Sequence, residues 1–264
     1  MPQETNTPDA QPTTIGILPM QEAVLFPHTV IPLAVVKKPG IALVEEALRE
    51  GKPIGLTVLR DREVEDPGPD DLHRIGTIGV IQKMLKVPDG TLRCIIAGQQ
   101  VFRIDEFTQL SPYMTATFTE LPDTTVENEE LVAMQRNLAG LFQKLLSYLP
   151  QAPREMEMEV ANITDPAVLT YFVASTMRLE TADRQALLEE RDTAKRMRKL
   201  TLLLTKELEV VELGHKIQSD IQREMEKNQR EFYLRQQLRA IQEELGEVDP
   251  QQAETNELRT KIDA

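Results

Sequence analysis

The sequence predicts an α+β protein: a β-rich lobe, formed as a curled sheet with one helix, followed by an all-α lobe that ends in a long helix. Three observations predict it. Before about residue 122 the chain reads as short β-branched runs separated by turn-formers. After residue 126 its apolar residues recur at helical spacing. From Arg191 no proline or glycine interrupts before Gly214, and none again before Gly246. With 264 residues, 41% of them hydrophobic, the chain can bury one large core or two small ones.

Each element of the first lobe has its own warrant. The runs TVIPLAVV (29–36), PIGLTVLR (53–60), IGTIGVIQKMLKV (75–87), TLRCIIAG (91–98), QQVFRIDEF (99–107) and YMTATFTEL (113–121) favour strands. Pro27 and Pro32 cannot donate to a ladder, so their segment belongs at an edge or in a loop. Asp89-Gly90 accepts the positive φ of a tight turn and joins the third and fourth runs as a hairpin. GIALVEEALREG (40–51) is the single helix, with Ile41, Val44, Ala47 and Leu48 on one face and Gly51 as its C-terminal cap. Short strands around one helix point to a small, barrel-like sheet.

The period changes after LPDTTVENEE (121–130), which places the lobe boundary at Pro122–Val126. ELVAMQRNLAGLFQKLLSYL (130–149) carries Leu131, Met134, Leu138, Leu141, Leu145 and Tyr148 at helical spacing. TDPAVLTYFVASTM (164–177) opens with Asp165 as N-cap and Pro166 at the first helical position. TADRQALLEE (181–190) is a short helix, and RDTAKRMRKL (191–200) begins the long one. Four or five helices are expected in this half.

Charge and motifs narrow the function. A net charge of -13 repels phosphate backbones and anionic lipid, so neither nucleic acid nor membrane is an expected partner. One cysteine, Cys94, rules out an intrachain disulfide and suits a reducing cytoplasm. The polar start MPQETNTPDAQPTT lacks the layout of a signal peptide, and no apolar run is long enough to span a bilayer. A cytoplasmic location is therefore expected. GxxxxGK[ST], GxGxxG and HExxH are all missing. His28, His73 and His215 fall in different elements without metal-ligand spacing, and Cys94 reads as a small core hydrophobe. The acidic pairs Asp70-Asp71, Glu129-Glu130 and Glu189-Glu190 read as solvated faces. No catalytic residue, metal or cofactor is expected in this chain itself.

Binding surface remains. Phe26 and Pro27 lie in MQEAVLFPHTVIP (20–32), and Met84 and Leu85 sit side by side near the hairpin tip. Adjacent strand residues face opposite ways, so one of that pair should point outward. Residues alone allow two readings: ordinary core, or a methionine-containing apolar patch for unspecific peptide capture. The long helix adds a second question. At about 100° per residue Ile217, Ile221, Met225 and Phe232 share one sector, whereas Leu234, Leu238, Ile241 and Leu245 share another. Two stripes suggest two partners in sequence, the helical lobe first and then something outside it. The other reading is a break near Gln229–Glu231 with a short helix folding back.

Several of these segments resemble the Lon protease family. NQREFYLRQQLRAIQEELGE (228–247) resembles the stretch those proteases carry between their N-terminal domain and their ATPase module. LPMQEAVLFPHTVIPLAV (18–35) resembles the opening strand and loop, and GTIGVIQKMLKVPDGTLRCIIAGQQVFRI (76–104) matches in order and spacing. The resemblance implies an N-terminal region with a PUA-like lobe at 15–122, a helical lobe at 123–200 and a long helix at 201–246. Residues 1–14 would be a disordered tail and 247–264 the start of a linker to the ATPase module. ATP, Mg and a serine–lysine dyad would belong to modules with no matching positions here. The resemblance further implies capture of unfolded or damaged protein clients and support of a homohexamer. It favours the patch reading of Phe26, Pro27, Met84 and Leu85, and gives the stripe Leu234, Leu238, Ile241 and Leu245 to assembly. A free-standing adaptor with the same lobe is the alternative; an unpaired stripe on the long helix speaks against it.

Overall fold

In the computed structural model, residues 14–149 and 154–245 are described, with Leu258, Arg259 and Ile262. The expected tail and linker lie outside the described residues, apart from these three and Thr14, which opens the first strand. Two compact units divide after Leu208.

The first unit is organised by one long strand. The strands are β1 (Thr14–Met20), β2 (Val30–Val35), β3 (Ile54–Val58), β4 (Ile75–Lys86), β5 (Leu92–Gln109) and β6 (Met114–Glu120). The runs read separately at 91–98 and 99–107 are thus a single strand of 18 residues. Gly98 does not end it. A side chain there would strike the carbonyl oxygen of Phe26, so glycine serves a close backbone approach instead of a turn. β5 pairs along one side with β4, and along the other with β2 at its start and β6 at its end. β6 returns to β1, β1 runs parallel to β3, and β3 pairs with β4. The sheet therefore closes into a five-stranded barrel with β2 attached outside the ring, as its proline requires. Shifts of register in β4–β5 and β5–β6 mark the bulges that let so long a strand bend.

Inside the barrel Ile15, Ile17, Ile78, Phe102, Ile104 and Ala116 form a cluster with Leu59 and Leu72. Helix α1 (Lys38–Glu50) ends where expected, with Gly51 at φ 66°. Its buried face is Gly40, Leu43, Val44 and Ala47, whereas Leu48 is exposed. Leu43 takes the place expected for Leu48 because Gly16 of β1, having no Cβ, leaves room for it. Cys94 is buried on the inward side of β5.

The helical lobe contains α2 (Glu129–Ser147), α3 (Arg154–Asn162), α4 (Pro166–Thr176), α5 (Thr181–Glu189) and the start of α6 (Thr193–Leu245). Asp165 caps α4 by accepting from the N–H groups of Ala167 and Val168. α4 is the central helix: Ala167, Leu169, Thr170, Tyr171, Val173 and Ala174 are all buried. Helix α3 is an addition to the sequence reading. Met156, Met158 and Val160 alternate with glutamates, a strand-like period that hides a helix.

In the second unit α6 is continuous from Glu209 to Leu245 and passes through Gln229–Glu231 without a break. Local pairs one turn apart support it, among them Gln222–Glu226 at 3.1 Å and Tyr233–Gln237 at 3.1 Å.

Candidate functional surface

Strand register builds an apolar face on the outside of the sheet. On the outward side, Val30 lies beside Ala97, with Val80 on β5's far side; Pro32 beside Ile95, with Lys83 beyond; and Ala34 beside Arg93, with Leu85 beyond. Leu85 is 65% exposed, Val30 53% and Ile95 38%. The inward side carries Cys94 and Ile96, both buried, so the outer residues are surplus to the core. Met84 pairs with Cys94 on that inward side and is half-buried.

Of the four residues expected at a client surface, only Leu85 lies on this outer face; Met84 is on the inward side, and the other two are in the core. Phe26 is fully buried and Pro27 is buried too. The reason lies in the helical lobe: the Tyr171 ring covers Phe26 at 5.8 Å between centroids. The loop is further held by Thr77, whose hydroxyl donates to the Leu25 carbonyl, and by Thr29, which donates to the Phe26 carbonyl at 2.8 Å. Val30, Pro32 and Ile95 were missed as surface residues. The signal was present: folding the hairpin about Asp89-Gly90 sets Leu85 opposite Arg93 and puts Ile95 on the same side.

Behind Phe26 sits a charged hub. Asp123, in the segment between the lobes, accepts from the Tyr171 hydroxyl at 2.9 Å and from Arg196 Nη1 at 2.7 Å, and lies 2.9 Å from Arg191 Nη2. Arg196 is completely buried, with its guanidinium 4.1 Å from the centre of the Tyr171 ring. It also donates to the Glu190 carbonyl at 2.8 Å and to the Thr170 hydroxyl at 2.9 Å. Burial pushes the Tyr171 hydroxyl up to about 12, against the pull of the neighbouring arginines. Such a cluster holds structure: its carboxylate, hydroxyl and two guanidinium groups converge on one another, although Arg196 Nη2 and Arg191 Nε are buried without a hydrogen-bond acceptor among the described residues. Gln185, donating to the Ile75 carbonyl at 2.9 Å, and His73, 3.3 Å from Glu189, add links between the lobes.

An open cleft of about 660 Å³ lies near these links. It is lined by Arg60, Arg62 and Arg184 against Glu22, Asp61 and Glu180, with few apolar residues. Ligand pockets are mostly apolar, so the cleft is a poor small-molecule site. No three His, Cys, Asp or Glu side chains among the described residues are placed to hold a metal ion. No helix among them is long and apolar enough to cross a membrane.

In the second unit Leu234, Leu238, Ile241 and Leu245 are all more than half exposed. So are Ile217, Ile221, Met225 and Phe232.

Barrel, bundle and exposed sheet face define a class first: an α+β domain that presents a surface instead of enclosing a cleft. The profile of the ATP-dependent protease La (LON) substrate-binding domain matches residues 14–206. The Lon protease of Dictyoglomus thermophilum is 42% identical over 98% of this chain, and that of Koribacter versatilis 40% over 97%. The chain spans about a third of the length of these relatives: 33% and 31%. In fold it is similar to the N-terminal domain of a Mycobacterium avium complex Lon protease (TM-score 0.60, 21% identity), covering 73% of this chain and 98% of that one. It is also similar to the Lon N-terminal domain protein from Xanthomonas campestris (TM-score 0.52, 20% identity), covering 71% and 96%. The chain belongs to the Lon protease family and corresponds to its N-terminal, substrate-binding region.

Proposed function

We propose that this region captures unfolded or damaged protein segments on the outer face of β2, β4 and β5, and that α6 supports assembly toward a homohexamer. In this reading the captured client passes to an ATP- and Mg-dependent ring and a peptidase with a serine–lysine dyad, both outside the present chain. The observation that supports capture is the exposed apolar face of Val30, Pro32, Leu85 and Ile95, four outward residues with no core to serve. A face of this kind reads exposed hydrophobes and carries no sequence code. At about 25 cal/mol per Å², a few hundred Å² gives several kcal/mol before entropic losses, so single segments bind at micromolar strength or weaker.

The test is Leu85→Ser combined with Ile95→Ser. Binding of a labelled unfolded client should fall about ten-fold or more, while the thermal transition stays within a few degrees of the parent. Undiminished binding by a folded variant would sink the proposal. The assembly role of Leu234, Leu238, Ile241 and Leu245 is checked by the solution mass of the chain against one cut after Arg230. Concentration-dependent oligomers that survive truncation would remove that role.

A further inference from the structure

The apolar face is not electrically neutral. Lys83 stands directly opposite Ile95, and Arg93 lies between Leu85 and Ala34. Both cations are exposed, and among the described residues neither has an ion-pair partner within 4.0 Å. The nearest acid in sequence, Asp89, is held in its own turn, where it accepts from the Thr91 N–H at 2.8 Å, and feels Arg93 only as a weaker electrostatic pull. Lys86 is neutralised by Glu45 at 2.9 Å, while Lys37 and Lys38 are exposed just past the end of β2. Positions 30–38 and 82–95 together hold five cations (Lys37, Lys38, Lys83, Lys86, Arg93) and one carboxylate, Asp89. The whole chain has 30 basic and 43 acidic residues, so this face reverses the sign of its surroundings.

We infer that the face selects unfolded segments whose apolar residues are flanked by aspartate or glutamate over segments flanked by lysine or arginine. The inference rests on the client-capture reading above. An apolar side chain seated against Leu85, Ile95 and Val30 brings its neighbours alongside Lys83 and Arg93. A carboxylate there gains two exposed cations that have no ion pair within 4.0 Å among the described residues; an ammonium meets two like charges. The pairs are solvent-exposed, so each is weak and salt-screened, and the preference is a bias rather than a code. The same cations disfavour basic segments, which gives discrimination by repulsion as well as attraction.

The experiment uses two disordered, fluorescein-labelled peptides of equal length and identical apolar residues, one flanked by Asp and Glu, the other by Lys. Anisotropy titrations are run at about 0.05 M and about 0.5 M salt. The acidic peptide should bind roughly three- to ten-fold tighter at low salt, and the gap should close at high salt. Lys83→Gln with Arg93→Gln should erase the gap and leave a peptide with uncharged flanks bound as before. Leu85→Ser should weaken both peptides. Equal affinities that both depend on Leu85 would overturn the charge preference and leave capture standing. Binding of neither peptide through Leu85 would overturn capture itself. A dimer that excludes the peptides and dissociates in the Lys83→Gln, Arg93→Gln variant would assign the face to a second copy of the chain and overturn the inference.

Discussion

Asp123→Asn tests whether burial or distance sets the worth of an ion pair here. Asp123 and Arg196 approach to 2.7 Å, and Glu130 and Arg198 to 2.6 Å, so geometry alone ranks the second pair at least equal. Their surroundings differ. The Arg196 side chain is 0% exposed and that of Asp123 20%, against 55% for Arg198 and 63% for Glu130. Neutralising Asp123 leaves a buried guanidinium with neutral acceptors only, the Glu190 carbonyl and Thr170 hydroxyl. Removing one partner of a buried pair costs about 3–5 kcal/mol; the partial exposure of Asp123 and the surviving amide acceptor lower this to about 2–3 kcal/mol. Glu130→Gln should cost less than about 0.5 kcal/mol, because water already solvates both Glu130 and its partner Arg198. Urea unfolding of the two variants and the parent gives both values from midpoints at unchanged slope. Equal losses, or a loss below about 1 kcal/mol for Asp123→Asn, would refute the claim that the hub holds the lobes together.

Three further outcomes follow from the same geometry. Gly98→Ala should destabilise by about 2 kcal/mol or more, since its Cβ meets the Phe26 carbonyl, whereas Gly140→Ala, with open space around it, should stabilise by about 0.5–1 kcal/mol; paired thermal melts decide. Tyr171→Phe should flatten the alkaline loss of stability. The native hydroxyl is raised from 10.0 to about 12, so it binds its proton more tightly folded than unfolded; its contribution is full below pH 10 and disappears as pH rises toward 12, and unfolding titrations over that window should show the parent losing more than the variant. Phe26→Asp should abolish cooperative folding, by placing a charge under Tyr171, and a native near-ultraviolet spectrum would contradict this.

What could be read from the sequence was local. Asp165-Pro166 announces a helix start, Gly51 a helix end and Asp89-Gly90 a turn, because the chemistry that decides each lies within a few residues. What could not be read depends on a partner far along the chain. LFP at 25–27 has the composition of an exposed loop, and it is contacts far along the chain, with Thr77, Gly98 and Tyr171 of another lobe, that turn Phe26 into core. Leu43 replaces Leu48 on the buried face of α1 because of a missing Cβ at Gly16. Gly98 has the appearance of a strand end, yet its role is to admit a backbone that the sequence places elsewhere. One residue of the hairpin pair, Leu85, points outward as expected, whereas Phe26 and Pro27 are buried, and the reason is the same: hairpin register is a local matter and loop burial is not.

That register also decides how a segment can bind. Among the described residues β2 has β5 as its only strand neighbour, and an extended client could add to its other edge as a new strand. Pro32 argues against this. A proline within a paired strand must turn its nitrogen away from the ladder, so in β2 it is the free edge that lacks a donor at its middle. Strand addition there would lose a central hydrogen bond and crowd the ring against the incoming chain, a familiar way of blunting an edge against aggregation. The face of the sheet has no such defect: side chains of Val30, Leu85 and Ile95 offer apolar contact without fixing register or direction. Under the capture proposal, a domain meeting many unfolded segments would gain from that difference. Backbone pairing would hold each one in a stable ladder, whereas weak contact with a face lets a segment be released and passed on. Replacing Pro32 by Val should therefore strengthen retention of β-prone segments and slow their release, a change in off-rate that stopped-flow displacement can read.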